Sequence, residues 1–215
     1  MIQEEKQQHW DTLYQTKLLC DVSWYQPTPE TSLRFIQDSG ISKSAKIIDV
    51  GGGDSFLVDH LLNLGYRDIT VLDISEKALK RAQERLGDKA HLVKWIVTDI
   101  VNFQPTEKYD FWHDRAAFHF LTRDEEINRY VNTAHQYLSS HGMLVVGTFS
   151  DHGPKKCSGL EIKQYTEHSM TETFGMHSQK LKCITLDHHT PSGNIQNFIF
   201  CSFRKWEHED ESESR

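Results

Sequence analysis

The fold is decided by one stretch of sequence, Lys46-Ile47-Ile48-Asp49-Val50-Gly51-Gly52-Gly53-Asp54-Ser55. Its first half is a β-branched run, which favours a strand, and the three glycines that follow favour a tight turn. Apolar residues then recur near helical spacing from Phe56 to Leu64, and Gly65 can take the left-handed conformation that ends a helix. The stretch therefore predicts a strand, a glycine turn and a helix in that order.

The same alternation continues along the chain. Ile69–Asp73 has the composition of a second strand, and Ser75 can cap a helix that ends at Gly87. Alternating strands and helices with short links predict an α/β fold with a doubly wound, mostly parallel sheet. The remaining predicted elements of this sheet are strands at Val93–Val97, Tyr109–His113 and Met143–Val146, and a helix with a capping box at Thr122–Glu125 and an apolar stripe at Ile127, Tyr130, Val131, Ala134 and Leu138.

The pattern changes after Ser150. Residues 151–159 are typical of a loop, Glu167–Phe174 of a short helix, and Leu181–Asp187 and Asn194–Arg204 of two strands that form an antiparallel hairpin at the sheet edge. The acidic residues 207–215 predict a solvated tail. We expect a single domain over residues 1–206, with N-terminal lid helices in 1–40, a cofactor-binding core in 45–150, and an acceptor loop and closing hairpin in 151–205.

The glycine turn favours an adenosine-containing ligand. Residues without a Cβ let the backbone approach a ligand closely. Asp73 lies 20 residues after Gly53, the spacing at which an acidic side chain meets ribose hydroxyls. In a nicotinamide or flavin site the third glycine would stand where this chain has Phe56, which weakens that interpretation.

With these motifs in order, the chain resembles the class I S-adenosylmethionine-dependent methyltransferases, in particular small stand-alone bacterial ones. The motifs are Asp49–Ser55, Val71–Ile74, Thr98–Ile100 and Asp110–Arg115. The resemblance covers residues 45–150 and implies a Rossmann-like seven-stranded sheet closed by an antiparallel hairpin. It also implies a cofactor site in which Gly51, Gly52 and Gly53 lie beside the methionine part, Asp73 accepts from the ribose, Ile74 and Ile100 pack on the adenine, and Asp99 accepts from the adenine amino group.

The acceptor is expected at the carboxyl edge of the sheet, beside the end of the fourth strand. Asp114 is a candidate contact to cofactor or acceptor and a candidate catalytic group, and Arg115 can pair with it. His119 is a candidate general base, although a lone histidine among aromatic residues is more often structural. Trp24 and Tyr25 are expected to close over the sulfonium, with an aromatic staple as the alternative.

The amino-acid composition limits which binding partners and which cellular compartment we expect. The 31 acidic residues outnumber the 24 Lys and Arg, giving a net charge of −7 that disfavours nucleic acid and anionic membranes. Four separated cysteines predict free thiols in a cytoplasmic protein, with Cys157 as an ordinary loop thiol, and the histidine spacing predicts no metal site. Oligomeric state is left open.

We therefore expect methyl transfer to a small-molecule acceptor. The alternatives are a protein lysine methyltransferase, a non-catalytic cofactor-binding module, and a nucleotide-linked oxidoreductase.

Overall fold

The structure, a computed structural model, describes residues 3–206. Its elements follow the predicted alternation of strands and helices. They are α1 (Gln3–Thr16), α2 (Glu30–Asp38), β1 (Lys46–Val50), α3 (Leu57–Asn63), β2 (Asp68–Asp73), α4 (Glu76–Leu86), β3 (Val93–Val97), β4 (Tyr109–Arg115), α5 (Asp124–Tyr137), β5 (Leu138–Phe149), β6 (Lys156–Cys157), β7 (Leu160–Glu161), α6 (Glu167–Phe174), β8 (Ser178–His189) and β9 (Ile195–Lys205).

Seven of the strands form one sheet in the order β3-β2-β1-β4-β5-β9-β8. The first five are parallel to one another, whereas β9 pairs antiparallel with both β5 and β8. The strand order reverses between β1 and β4, and ligands bind at such a switch point, beyond the carboxyl ends of the strands. The predicted Rossmann-like sheet with its antiparallel hairpin is confirmed.

Both faces of the sheet are covered, which explains the continuous apolar runs in the central strands. Consecutive residues of β1 point to opposite faces: Ile48 packs in the core beside α5 and α6, and Ile47 packs in the core beside α2, α3 and α4. The apolar stripe predicted for α5 lies in the first of these cores, where Tyr130 is fully buried.

Two local predictions are wrong. The capping box at Thr122–Glu125 does not form, because α5 begins at Asp124 and its N-cap residue, Arg123, makes no side-chain cap hydrogen bond. Cys183 and Cys201 are not free thiols but form a disulfide, since the β8–β9 register places them directly opposite each other. Cys20 and Cys157 are free.

The segment predicted as a loop at 151–159 also contains structure, because the β6–β7 hairpin begins within it. The predicted acidic tail lies outside the described residues. Between residues 3 and 206, no helix combines the length and apolarity needed to cross a membrane.

Candidate functional site

A cavity of about 510 Å³ opens at the carboxyl edge of the parallel strands. The ends of β1, β2, β3 and β4 form its floor, and α1, Trp24 and the β6–β7 hairpin contribute to its walls. Six residues predicted to bind the cofactor line this one cavity: Trp24, Gly51, Asp73, Ile74, Asp99 and Ile100.

The glycine turn has no room for side chains. Gly51 and Gly53 have φ angles of 66° and 48°, which L side chains rarely adopt. A Cβ on Gly51 would collide with the Cβ of Ala117, and one on Gly53 would lie 2.8 Å from the hydroxyl oxygen of Tyr14. The turn is tied to the next strand, because the Gly51 and Gly52 N–H groups both donate to the Leu72 carbonyl.

Asp73 ends β2 at the middle of the cavity floor. One of its oxygens accepts a hydrogen bond from the Ser75 N–H at 2.8 Å, and the Gly53 N–H also donates to the carboxyl. Burial raises the Asp73 pKa to about 7, and the nearby charges of Asp54 and Asp49 add to the shift. The carboxyl is therefore positioned on the cavity and lies next to other negative charges.

Asp99 and Ile100 follow β3 at the next position along the sheet edge. Asp99 accepts a hydrogen bond from the Val101 N–H at 3.1 Å, and its other oxygen lies 3.6 Å from the Lys6 ammonium of α1. Lys6 also donates to Glu126 at 2.8 Å. Burial opposes ionisation of Glu126, but hydrogen bonds from Arg123 and Lys6 lower its pKa to about 2.

Helix α1 covers the cavity through polar and aromatic contacts. Asp11 accepts hydrogen bonds from the Ser75 hydroxyl at 2.6 Å and from the Lys77 N–H at 3.2 Å, both at the start of α4. Trp10 contacts Trp24 and Phe120 edge-on, with ring centroids 5.9 and 5.0 Å apart. Trp24, which we predicted to belong to the lid, thus lies in an aromatic cluster with Trp10 and Phe120 on the cavity wall.

A smaller pocket adjoins the cavity at Gly51 and Trp24. Gly52 and Tyr25 line it, so two further predicted residues lie there rather than in the larger cavity. Asp54 also lines this pocket, and its buried Oδ1 has no hydrogen-bond partner, although Arg81 lies 3.2 Å from Oδ2. Gly53 holds the turn without lining either space.

The structure gives the two candidate catalytic side chains no access to the cavity. Asp114 is fully buried, and its oxygens accept hydrogen bonds from the Ala117 and Phe118 N–H groups and the Tyr130 hydroxyl. His119 is also fully buried and stacks on Phe149, and burial lowers its pKa to about 3. Neither side chain lines the cavity or the adjoining pocket, so Asp114 and His119 are not placed to act as catalytic groups, nor Asp114 as a cofactor contact.

Arg115 does not pair with Asp114 as expected. Its Nη1 donates to the Trp24 carbonyl at 3.0 Å, and its guanidinium carbon lies 5.0 Å from the centroid of the Phe198 ring. Lys6, Asp11 and Glu126 carry no sequence signal of their contacts, because these contacts depend on how α1 docks and no local motif encodes that docking.

The residues present fit an adenosine-containing, amino-acid-bearing cofactor. The turn excludes side chains where such a ligand would lie, Asp73 and Asp99 present carboxylate oxygens at neighbouring strand ends, and Asp54 Oδ1 is a buried acceptor without a donor. An amino group entering the smaller pocket would supply that missing donor.

The sheet order, the glycine turn and the acidic strand ends together define the fold of class I S-adenosylmethionine-dependent methyltransferases. Residues 47–142 match the family model described as a methyltransferase domain. Residues 47–142 therefore carry the methyltransferase domain that the sequence motifs predict. The predicted family and its cofactor, S-adenosylmethionine, are confirmed.

Individual relatives agree on this class. Malonyl-[acyl-carrier protein] O-methyltransferase 2 of Ilyobacter polytropus is 28% identical over 116 residues, which are 54% of this chain and 42% of that protein. The eEF1A lysine and N-terminal methyltransferase of Mus musculus is 26% identical over 119 residues, 55% of this chain and 17% of that protein. The chain thus spans less than half the length of either relative.

A solved structure matches over almost the whole chain. It is the N-methyltransferase NodS from Bradyrhizobium japonicum WM9 in complex with S-adenosyl-L-homocysteine. The two chains superpose with a TM-score of 0.72 at 18% identity, covering 92% of this chain and 98% of NodS. At this level of identity the match establishes a shared fold.

Proposed function

We propose that this protein transfers the methyl group of S-adenosylmethionine to a small-molecule acceptor. One observation carries the proposal: a single cavity joins the glycine turn at Gly51 to carboxylates at two successive strand ends, Asp73 and Asp99. The relatives named as methyltransferases support the reaction type.

The residues of the cavity have distinct proposed roles toward the cofactor. Asp73 accepts hydrogen bonds from the ribose hydroxyls, Asp99 accepts one from the adenine amino group, and Ile74 and Ile100 pack on the adenine ring. The turn at Gly51–Gly53 lies beside the methionine part, and Asp54 accepts from its amino group. Trp24 and Tyr25 lie toward the sulfonium, where aromatic faces stabilise a cation by roughly 0.5–2 kcal/mol.

When bound, S-adenosylmethionine supplies a methyl carbon activated by a positively charged sulfur. The acceptor itself supplies the attacking lone pair, so the protein needs no nucleophile of its own. The role of the protein is to align the acceptor with that carbon and to exclude water. A general base is required only where the acceptor atom carries a proton. The described lining of the cavity contains no histidine, and its carboxylates are those of Asp73, Asp99, Glu126 and Glu161.

The far end of the cavity supports a small acceptor. Beyond the glycine turn its lining passes to Phe120, Cys157 and Leu160, so the space lies between the end of β4 and the β6–β7 hairpin. A cavity of this kind suits a compact molecule. Placement in the cytoplasm stays a prediction.

Calorimetry and labelled transfer test the proposal. S-adenosylhomocysteine should bind the purified protein and NAD should not, and Asp73→Ala should weaken binding by about 1–3 kcal/mol, or five- to 150-fold, because ribose hydroxyls lose their partner. Binding of NAD alone would refute the cofactor assignment. Cofactor binding without methyl transfer to any acceptor in cell extract would favour a non-catalytic module.

A protein lysine acceptor is the second candidate. The similarity to the eEF1A lysine and N-terminal methyltransferase and the net charge of −7, which attracts basic targets, favour it. Extracts incubated with protein and methyl-labelled cofactor distinguish the two: label in protein bands supports the lysine acceptor, and label confined to metabolites supports the small molecule.

A further inference from the structure

Arg115 places a positive charge on the cavity wall without a matching carboxylate. The residue lines both the main cavity and the smaller pocket. Across residues 3–206, no carboxylate lies within ion-pairing distance of its guanidinium, and its Nη2 is buried with no hydrogen-bond partner. A buried donor on a charged group costs free energy unless a ligand satisfies it.

The guanidinium is held in place for a ligand. Nη1 donates to the Trp24 carbonyl at 3.0 Å, and the group lies over the face of Phe198. These contacts fix the orientation of the planar group but neutralise none of its charge. The Arg115 guanidinium is therefore held rigidly, as a ligand-binding group would be. It lacks the paired carboxylate that a purely structural arginine would have.

The field of this unpaired charge reaches its neighbours. Burial first, and then the charge of Arg115, lower the pKa values of His119 and His188. Burial also lowers the pKa of Arg115 to about 10, so the group stays charged at neutral pH. Asp49, whose negative charge raises the Arg115 pKa, already bonds to His113 at 2.7 Å.

The sulfonium of the proposed cofactor is a second cation facing this cavity, and the methionine carboxylate of the cofactor is one anion that Arg115 can meet. Two like charges facing one low-dielectric cavity repel each other, and an anion between them relieves the repulsion. Trp24, Phe120, Cys157 and Leu160 on this wall are apolar or aromatic, and the Glu161 carboxylate beside them pairs with Lys156 at 2.6 Å. This lining suits a compact apolar body that carries one negative group.

We propose that the methyl acceptor is a small organic anion, an aromatic or similarly apolar carboxylic acid, whose carboxylate pairs with the guanidinium of Arg115. The inference rests on the proposed methyltransferase function and specifies its substrate class. Arg115 acts as a specificity-determining residue that anchors the acid, because a planar guanidinium matches a carboxylate with two parallel hydrogen bonds.

The test compares acids with their neutral isosteres on the cofactor-loaded protein. Protein saturated with S-adenosylhomocysteine is titrated with benzoate, 4-hydroxybenzoate and indole-3-acetate, and with the corresponding amides. At least one acid should bind ten or more times more tightly than its amide. Equal affinity for acids and amides, or no binding by any of the acids, would overturn the proposal.

Variants identify the anchoring group. Arg115→Met should reduce acid affinity at least tenfold, to the level of the amide, and Arg115→Lys should retain part of it, while both keep S-adenosylhomocysteine affinity within threefold. Lys155→Met removes one exposed positive charge directly before the β6–β7 hairpin and should change neither affinity. If Arg115→Met fails to fold, the acid–amide comparison on the wild type and on Arg115→Lys decides.

Two other outcomes have separate meanings. If Arg115→Met weakens S-adenosylhomocysteine as strongly as it weakens the acids, the guanidinium serves the carboxylate of the cofactor and the inference is wrong. If S-adenosylhomocysteine does not bind the wild-type protein, the proposed function itself fails. Cofactor binding without a preference for acids overturns only the inference.

Discussion

The carboxyl of Asp73 connects a single residue to a measurable pH dependence. Burial, with help from Asp54 and Asp49, raises its pKa to about 7. Ribose hydroxyls donate to the ionised form, so cofactor binding requires a deprotonated Asp73. Affinity should therefore be full above pH 7 and fall by about tenfold per pH unit as pH decreases below 7.

Calorimetric titration with S-adenosylhomocysteine between pH 8 and 6 measures this dependence. The Asp73→Asn variant should bind more weakly at pH 8 and show a flat profile, because its amide does not titrate. A wild-type affinity that stays constant over this range would contradict the proposed role. The pH dependence of stability in the ligand-free protein has the opposite sign to that of affinity. Because the Asp73 pKa is raised, the folded state holds the proton more tightly than the unfolded state. The contribution of Asp73 to the free energy of unfolding therefore decreases as pH rises toward 7.

The sequence predicts that Asp73 faces the cavity, but it does not predict that Asp114 faces away from it. Both lie at the carboxyl ends of strands, and Asp73 lines the cavity, as its spacing from the glycines leads us to expect. Asp114 instead accepts hydrogen bonds within the protein: the turn after β4 directs two N–H groups at it, and Tyr130 of α5 donates its hydroxyl. Which way a side chain points after a strand depends on the following backbone, and no pattern in the sequence encodes it.

At the level of elements, the docking of α1 depends on Asp11. Its carboxylate holds the Ser75 hydroxyl and the Lys77 N–H at the start of α4. Asp11→Ala removes both contacts at a cost of about 1 kcal/mol, so α1 should open about five times more often. Hydrogen exchange of the amides in Gln3–Thr16 should accelerate by that factor, while exchange in the central strands stays unchanged.

Glu4→Ala provides the matched control on the same helix. Glu4 is exposed, so this variant should leave exchange in α1 as in the wild type. Saturation with S-adenosylhomocysteine should slow exchange of α1 in Asp11→Ala, because the proposed ligand contacts the lid. Identical exchange of α1 in the wild type and Asp11→Ala would show that the remaining contacts of α1, the aromatic cluster and the ion pairs of Lys6, hold the lid.

Elements defined by local chemistry were predictable, and those defined by distant contacts were not. The glycines after β1 predicted the turn, and the residues Glu167–Phe174 predicted α6, since turn and helix formation depend on neighbouring residues. The start of α5 differs because Thr122 lies one residue before the N-cap and its hydroxyl does not cap the helix. The pairing of Cys183 with Cys201 requires the register of β8 against β9, which distant residues fix.

At the scale of the whole molecule, that disulfide ties the edge hairpin to itself across 18 residues of sequence. Cross-linking a loop of about this length stabilises a protein by about 3 kcal/mol, chiefly by restricting the unfolded chain. Reduction should therefore lower the free energy of unfolding by about 3 kcal/mol in urea titrations.

The double variant Cys183→Ala/Cys201→Ala is the control, and its stability should not change with reductant. The denatured, unreduced wild type should expose two reactive thiols, Cys20 and Cys157. Four reactive thiols, or equal stability with and without reductant, would mean that the hairpin holds its place on β5 without the bond.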